Sequence, residues 1–198
     1  MDPYVLSDMQ AKAAGDLIAA AFFPTAVATF LFPTPSRRAH VLPVFFMAMT
    51  RLAVRHGQAT AVGDPLQAIA LWLPPGQEPT EADFAAAGMG DADALMDAGE
   101  GERFAALDAH LGAAHARVMD QPHWYLPFLG VAPDAQGQGA GTILMRHTLK
   151  RDVAPGVPCY LDSADERNLP FYERLGFRVV ETGVVPGRQL RTWSLRRG

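Results

Sequence analysis

Cysteine, basic charge and long apolar runs are scarce in this chain, and each shortage excludes a class of protein. The 198 residues include one cysteine, Cys159, which rules out an internal disulfide framework and fits a reducing, cytoplasmic environment. The net charge of −4 leaves no basic stripe for phosphates, so nucleic acid is not expected as a main partner. Pro24 and Pro33 interrupt the apolar residues 17–32, and no charged leader with a cleavage site precedes them. We therefore expect neither a signal peptide nor a membrane span.

The order of helix and strand patterns predicts one α/β domain over residues 1–198. The hydrophobic fraction of 49% and the charged fraction of 19% are typical of a folded chain, and no repeat or long linker divides it. Strand patterns cover residues 4–7, 59–62, 67–73, 124–131, 158–162, 176–181 and 189–195. Helix patterns cover residues 8–23, 36–56 and 168–175, and a further helix opens on residues 136–141.

Residues 76–120 form an acidic helical insert. Ten carboxylates stand there against only Arg103 and Arg117, whereas the residues from Gln121 onward carry ten basic and seven acidic groups. The sequence of the insert predicts two alanine-rich helices, separated by a break at Gly88-Met89-Gly90. Two interpretations of its charge remain open: a cation bound near the middle of the chain, or a solvated helical face.

A glycine-rich loop follows the strand at 124–131. Gly137, Gly139 and Gly141 stand at alternate positions and remove the side chains that would keep a ligand away from the backbone. The first N–H groups of a helix have no partner inside the helix, and the helix dipole there favours negative charge. The loop therefore predicts a binding site for a pyrophosphate.

A dinucleotide-binding fold is an alternative explanation of the same loop. Asp162 ends a strand about twenty residues past Gly141, where a ribose-binding acid would be expected. However, Thr142 stands where the third glycine of G-x-G-x-x-G is needed, and only 36 residues follow Asp162, too few for the remaining units of a doubly wound sheet. The loop also lacks the Gly-Lys-Ser/Thr ending of a nucleotide-binding P-loop.

Two motifs resemble the GNAT superfamily of acyl-CoA N-acyltransferases. Val131-Ala132-Pro133 followed by Gln136-Gly137-Gln138-Gly139-Ala140-Gly141 matches the family's V-x-P and Q/R-x-x-G-x-G/A pattern. The sequence NLPFYERLGF at 168–177 matches N-x-x-x-Y-E-x-x-G-F, and with Arg191-Thr192-Trp193 it resembles the puromycin N-acetyltransferase group. The resemblance is good over residues 122–198. It implies a single-domain fold with a central mixed, twisted sheet flanked by helices, with two strands splayed at the acyl-CoA site.

The resemblance also implies acetyl-CoA as co-substrate and assigns residues to it. Backbone N–H groups from Gln138 to Thr142 would cradle the pyrophosphate, and the strand with Leu129 and Val131 would pair with the pantetheine amides. Asn168 would hydrogen-bond the pantetheine arm, and Tyr172 would donate a proton to the leaving thiolate. The acyl-CoA site expected on this basis comprises Leu129, Val131, Gln136, Gly137, Gln138, Gly139, Ala140, Gly141, Thr142 and Asn168, with no metal.

The general base and the acceptor site are less strongly indicated. His123 has the best intrinsic pKa for a base, while Asp162, Glu166 and a water relay are alternatives. Trp72 and Trp124 are expected to line the acceptor cleft, which suggests a small amphipathic amine with a cationic end, bound by a monomer or a homodimer. Two other functions remain open: an idle acyl-CoA-binding or regulatory module, and acetylation of peptide or protein amines.

Overall fold

A seven-stranded mixed sheet with helices on both faces forms the centre of the molecule, as the resemblance implied. The computed structural model describes residues 1–187 and 189–198. The strands lie in the order β1-β2-β3-β4-β5-β7-β6. They are β1 Tyr4–Val5, β2 Gln58–Val62, β3 Ala68–Leu73, β4 Trp124–Val131, β5 Cys159–Ser163, β6 Arg178–Val184 and β7 Arg191–Arg197. The helices are α1 Ala11–Phe22, α2 Ala26–Leu31, α3 Pro35–His56, α4 Glu81–Ala87, α5 Met89–Leu95, α6 Ala98–Val118, α7 Ala140–Arg151 and α8 Leu169–Glu173.

Strands β4 and β5 run parallel and separate after two pairs. Trp124 pairs with Cys159 and Tyr125 with Tyr160, and among the described residues no later pair joins these strands. The predicted splay is therefore confirmed. All other pairings in the described part of the sheet are antiparallel, which excludes the doubly wound parallel sheet of a dinucleotide-binding fold.

A bulge in β4 lies where β4 and β5 separate. Leu71 pairs with Phe128 but Leu73 pairs with Tyr125, so two steps along β3 correspond to three along β4. The extra residue falls beside Pro127, which lacks the N–H needed for a regular ladder. As a result, Tyr125 and Phe128 project from the same face although three positions separate them: Tyr125 contacts His115 of α6, and Phe128 contacts Phe46 of α3.

Each face of the sheet carries its own apolar core. One core lies under α1, α3 and α6 and includes Ile18, Phe46, Leu71 and Leu107. The other lies under α7 and α8 and includes Trp72, Leu144, Leu161 and Tyr172. We call these the α6 face and the α7 face. Of the β4 side chains, Phe128 thus lies on the α6 face, and Leu126 and Leu129 lie on the α7 face.

The acidic insert contains three helices, so the prediction of two was one too few. The predicted break at Gly88 is present, and a second break separates α5 from α6 at Met96 and Asp97. Asp97 caps α6 by accepting from the Glu100 N–H at 2.8 Å. Glu100 is also buried against Arg37 of α3, with Nε–Oε1 and Nη2–Oε2 distances of 2.9 and 2.6 Å, which fixes α6 over the sheet.

Several element boundaries differ from the sequence expectations. Helix α7 begins at Ala140, so Gly137 and Gly139 precede it and only Gly141 lies within it. The predicted helix 168–175 is a short 3-10 turn followed by α8. Strand β6 extends to Val184, three residues beyond its predicted end. Within 1–187 and 189–198, no helix is both long and apolar enough to cross a membrane, and no group of three or more side chains could hold a metal ion.

Candidate functional site

The glycine loop joins the end of β4 to the start of α7. Gly137 and Gly139 adopt φ of +76° and +90°, a region that residues with a Cβ rarely occupy, and a Cβ at either position would have no neighbour within 4 Å. Gln138 holds the loop by donating to the Asp134 carbonyl at 2.7 Å, and Gln136 donates to the Val131 carbonyl at 3.3 Å. The loop is thus shaped by its own residues and leaves open space above its backbone.

The start of α7 presents free N–H groups to this space. The Ile143 N–H donates to the Gly139 carbonyl at 3.0 Å, so Ala140, Gly141 and Thr142 precede the first α-helical hydrogen bond. Gly141 has a different role from the other two glycines: a Cβ there would lie 3.2 Å from Val131 Cγ2 and 3.9 Å from Leu129 Cδ2. Because Gly141 has no Cβ, α7 can approach the end of β4.

Tyr172 lies in the core on the α7 face. It is 9% exposed and packs edge-on against Phe171 and Phe177, with ring centroids 5.0 and 6.1 Å away. Burial raises the pKa of its phenol above the ordinary value of 10, so the group stays protonated throughout the neutral range. A protonated phenol of this kind can donate a proton but cannot serve as a base.

Asn168 precedes α8 and is exposed. Its side chain makes no capping hydrogen bond to that helix, so the simple structural explanation of this residue, an N-cap, does not hold. Asp165 instead accepts from the Arg167 N–H at 3.0 Å and organises the turn. No residue that the structure describes hydrogen-bonds the side-chain amide of Asn168, which is exposed on the surface.

Trp72 and Trp124 do not line an open cleft together. Trp72 is fully buried on the α7 face, and Trp124 packs against it edge-on at 6.2 Å between ring centroids. The placement of Trp72 in an acceptor cleft was therefore wrong, because the side chain alternates away from Leu73 into the core. The neighbouring residues Leu73 and Pro74 do line a groove.

That groove lies on the α6 face near the closed end of the β4–β5 gap and has a volume of about 640 Å³. Glu78 and Asp120 supply negative charge at its edge, whereas Leu73, Met119 and Tyr125 supply apolar surface. The full lining comprises residues 73–74 and 76–79, the α6 residues Gly112, His115 and Ala116, residues 119–123, and Tyr125.

Two histidines meet in this groove, His115 from α6 and His123 from the segment before β4. Their Nε2 atoms are 2.6 Å apart, and His123 Nδ1 lies 2.7 Å from the Gln121 carbonyl oxygen. Because a carbonyl only accepts, His123 Nδ1 carries a proton, and in the neutral ring Nε2 accepts from His115. Burial and the neighbouring His123 lower the pKa of His115 to about 4. Both nitrogens of His123, the predicted base, are therefore engaged within the protein.

A second polar cluster lies behind the histidines on the same face. The ring of His115 stacks on Tyr160 at 4.1 Å between centroids, and the Tyr160 hydroxyl donates to Asp162 Oδ1 at 2.7 Å. Ser194 of β7 donates to the same carboxylate oxygen at 3.0 Å. Burial raises the pKa of Asp162 to about 6.

Sequence reasoning named Asp162 only as an alternative and missed Tyr160, Ser194 and His115. The alternation of Tyr160 and Asp162 along β5 was a usable signal, since residues two apart on a strand share a face. No local signal marked Ser194 or His115, because each reaches the cluster from an element distant in the sequence.

The splayed parallel strands, the glycine loop and the buried tyrosine define the class of the protein, an acetyltransferase with a GNAT fold. The model of the Acetyltransferase (GNAT) family matches residues 67–177, more than half of the chain, and the chain belongs to this family. The match covers β3, the insert, β4, the loop and the NLPFYERLGF motif.

Individual relatives agree with this assignment. The chain is 29% identical over 174 residues to an uncharacterized N-acetyltransferase of Schizosaccharomyces pombe, covering 84% of this chain and 69% of that protein. The structure of histone acetyltransferase HPA2 and related acetyltransferase from Corynebacterium glutamicum has a TM-score of 0.68 at 21% identity, covering 99% of this chain and 94% of that one. The polyamine N-acetyltransferase of Drosophila melanogaster, which forms N-acetylagmatine, has a TM-score of 0.65 at 14% identity, covering 98% and 97%. Both structural matches support the fold.

Proposed function

We propose that the protein transfers an acetyl group from acetyl-CoA to the primary amine of a small, cationic, amphipathic acceptor. The gap between β4 and β5 carries this proposal, because an extended chain with amide groups can lie between two unpaired strand edges. The family's use of acetyl-CoA supports the same assignment.

The glycine loop is proposed to hold the pyrophosphate of acetyl-CoA. The open space above Gly137 and Gly139 fits a bulky anion, and the N–H groups of Ala140, Gly141 and Thr142 point from a helix N-terminus. Leu129 and Val131 would accompany the pantetheine arm along β4, and Asn168 would donate to it from the other side. Gln136 and Gln138 hold the loop in shape.

Tyr172 is proposed as the general acid. The acceptor amine attacks the thioester carbon, the C–N bond forms, the C–S bond breaks, and the phenol gives its proton to the departing thiolate. Of the two protons that the attacking amine carried, one passes to the tyrosinate and restores the phenol, and the other stays on the amide nitrogen. A phenol is a suitable donor because it holds its proton at neutral pH, and its ordinary pKa of about 10 is close enough to the value of about 8.5 for a thiol that the proton can pass to the sulfur as it leaves.

The groove near His115 and His123 is proposed as the acceptor site. The negative charges of Glu78 and Asp120 favour a cation, and Leu73, Met119 and Tyr125 favour an apolar body. The Drosophila relative acts on agmatine, a molecule of this kind. The ending NLPFYERLGF adds puromycin as a second candidate.

Thermal unfolding with acetyl-CoA, with NAD as the control ligand, tests the cofactor assignment first. A ligand at about 100 times its Kd adds roughly 2.7 kcal/mol of stability. Thiol release is then followed with agmatine, spermidine, tryptamine, puromycin and a short peptide bearing a free N-terminus. Release with one of the small amines supports the proposal, whereas release with the peptide alone favours a peptide or protein acceptor. Binding of acetyl-CoA without release from any of them would favour an idle acyl-CoA-binding module.

A further inference from the structure

Asp162 is the first residue of β5 that faces α6 after the strand separates from β4. Tyr160 still pairs with Tyr125 of β4, whereas Leu161, Asp162 and Ser163 pair only with β7 among the described residues. Leu161 projects into the core on the α7 face, so Asp162 projects to the opposite side, next to Tyr160. Its carboxylate thus lies at the narrow end of the gap, on the side of the groove.

The two carboxylate oxygens of Asp162 have different surroundings. Oδ1 accepts from the Tyr160 hydroxyl at 2.7 Å and from the Ser194 hydroxyl at 3.0 Å. Oδ2 is buried and has no hydrogen-bond partner in the described part of the chain. A buried acceptor without a partner is costly, so Oδ2 is suited to a hydrogen-bond partner supplied by a ligand. The N–H of an amine in the gap is such a partner.

We propose that Asp162 is the general base that takes the proton from the acceptor ammonium. This inference rests on the proposed acetyltransferase function. The proton of R–NH3+ moves to Asp162 Oδ2, and the neutral amine then attacks the thioester carbon. Tyr172, on the opposite side of the sheet, gives its proton to the departing thiolate. Asp162 finally releases its proton to solvent, so the transfer yields the acetamide, free thiol and one proton.

The charged and titratable groups around Asp162 are consistent with this role. Tyr125 faces it from β4, Tyr160 from its own strand and Glu181 from β6. From α6, His115 stacks on Tyr160 and Arg117 pairs with Glu181. Glu181 is ion-paired with Arg117, so its charge is largely balanced. Asp162 is therefore the carboxylate of this group that has no cationic partner among the described residues. With its pKa raised to about 6, it is ionised at neutral pH and more basic than an ordinary aspartate.

The test compares Asp162→Asn with Asp93→Asn, the same substitution at an exposed carboxylate of α5. With the most active amine of the panel, Asp162→Asn should lower kcat by about 10²–10⁴-fold and leave the Kd of acetyl-CoA unchanged. The acid limb of kcat/KM near pH 6 should disappear, and activity should recover as the pH approaches the pKa of the amine itself. Calorimetric binding of agmatine to the complex with CoA should weaken in the same variant, which is a readout independent of turnover. Asp93→Asn should change none of these quantities.

Tyr160→Phe provides a second readout of the same role. The Tyr160 hydroxyl lowers the pKa of Asp162, so its loss should move the acid limb to higher pH while retaining turnover. If Asp162→Asn keeps its rate and its acid limb while His123→Gln loses both, the base is His123 and the inference is overturned. If the wild-type protein acetylates no amine, the proposed function fails first and the inference fails with it.

Discussion

Asp162 and Tyr172 lie on opposite faces of one sheet, Asp162 facing α6 and Tyr172 buried on the α7 face. In a continuous sheet the backbone ladder would separate them. Here β4 and β5 separate after Tyr125 and Tyr160, so one acyl group in the gap could be reached from both sides. In the proposed mechanism, this arrangement assigns proton removal and proton donation to separate groups on the two sides of the gap.

The substitution Tyr172→Phe tests the proposed role of Tyr172 as the general acid. The substitution keeps the buried ring and removes only the proton donor, so kcat should fall by about 10²–10³-fold while the Kd of acetyl-CoA stays within about twofold. Steady-state thiol release and calorimetry measure the two quantities. Tyr4→Phe, on an exposed tyrosine of β1, is the matched control. An unchanged kcat would show that another group protonates the thiolate.

Gly139→Ala tests the pyrophosphate loop. The methyl group would enter the open space above the loop, and φ of +90° would be strained, so acetyl-CoA binding should weaken by more than about tenfold. Gly156→Ala is the control, because Gly156 has φ of +84° and equally open surroundings at a distant turn. Both variants should lose a similar stability, about 1 kcal/mol, in urea unfolding. Equal loss of acetyl-CoA affinity in both would remove the loop from the site.

Asp162→Asn should stabilise the fold at alkaline pH. The folded-state pKa of about 6 exceeds the usual 3.8, so the folded protein binds more protons between these values and loses stability as pH rises through them. The loss amounts to about 3 kcal/mol at most. The variant should therefore exceed the wild type in free energy of unfolding at pH 8, and the advantage should vanish near pH 4. Urea titrations at both pH values measure this, and no advantage at pH 8 would contradict the raised pKa.

His115→Gln should have the opposite pH dependence. The folded-state pKa of His115, about 4, lies below the usual 6.5, so wild-type stability is fully present above pH 6.5 and is lost as pH falls toward 4. Glutamine cannot take up that proton, so the difference in unfolding free energy between wild type and variant should narrow by about 3 kcal/mol at most over this range. His40→Gln, on an exposed histidine, is the control. A constant difference from pH 7 to pH 4.5 would refute the prediction.

Local signals explain which parts of the fold were predictable. The glycine spacing at 137–141, the strand before it and the break at Gly88 all depend on residues adjacent in the sequence, and all are present. The second break in the insert was missed because Asp97 and Glu100 cap α6 within an otherwise helical, alanine-rich segment. The boundary of α7 differed because glycines that permit a helix N-terminus also permit the left-handed turn before it.

The predicted roles around the site divide in the same way, into those that depend on adjacent residues and those that depend on packing. Tyr172, Asn168 and the loop glycines come from motifs whose residues act where they stand in the chain, and their roles remain predictions with geometry in their favour. Trp72 was misplaced because a strand residue and its neighbour face opposite sides, and the sequence does not mark which side opens to the groove.

The sequence by itself determined the family and the glycine loop, because a left-handed turn and a close helix approach need glycine at particular positions. Only the tertiary structure decided where the gap between β4 and β5 opens and which side chains lie on its α6 face. Asp162 meets Ser194 through strand register across 32 residues, and Tyr160 meets His115 through the packing of α6 on the sheet. Such contacts depend on how separate elements pair and pack, which no local pattern of residues specifies.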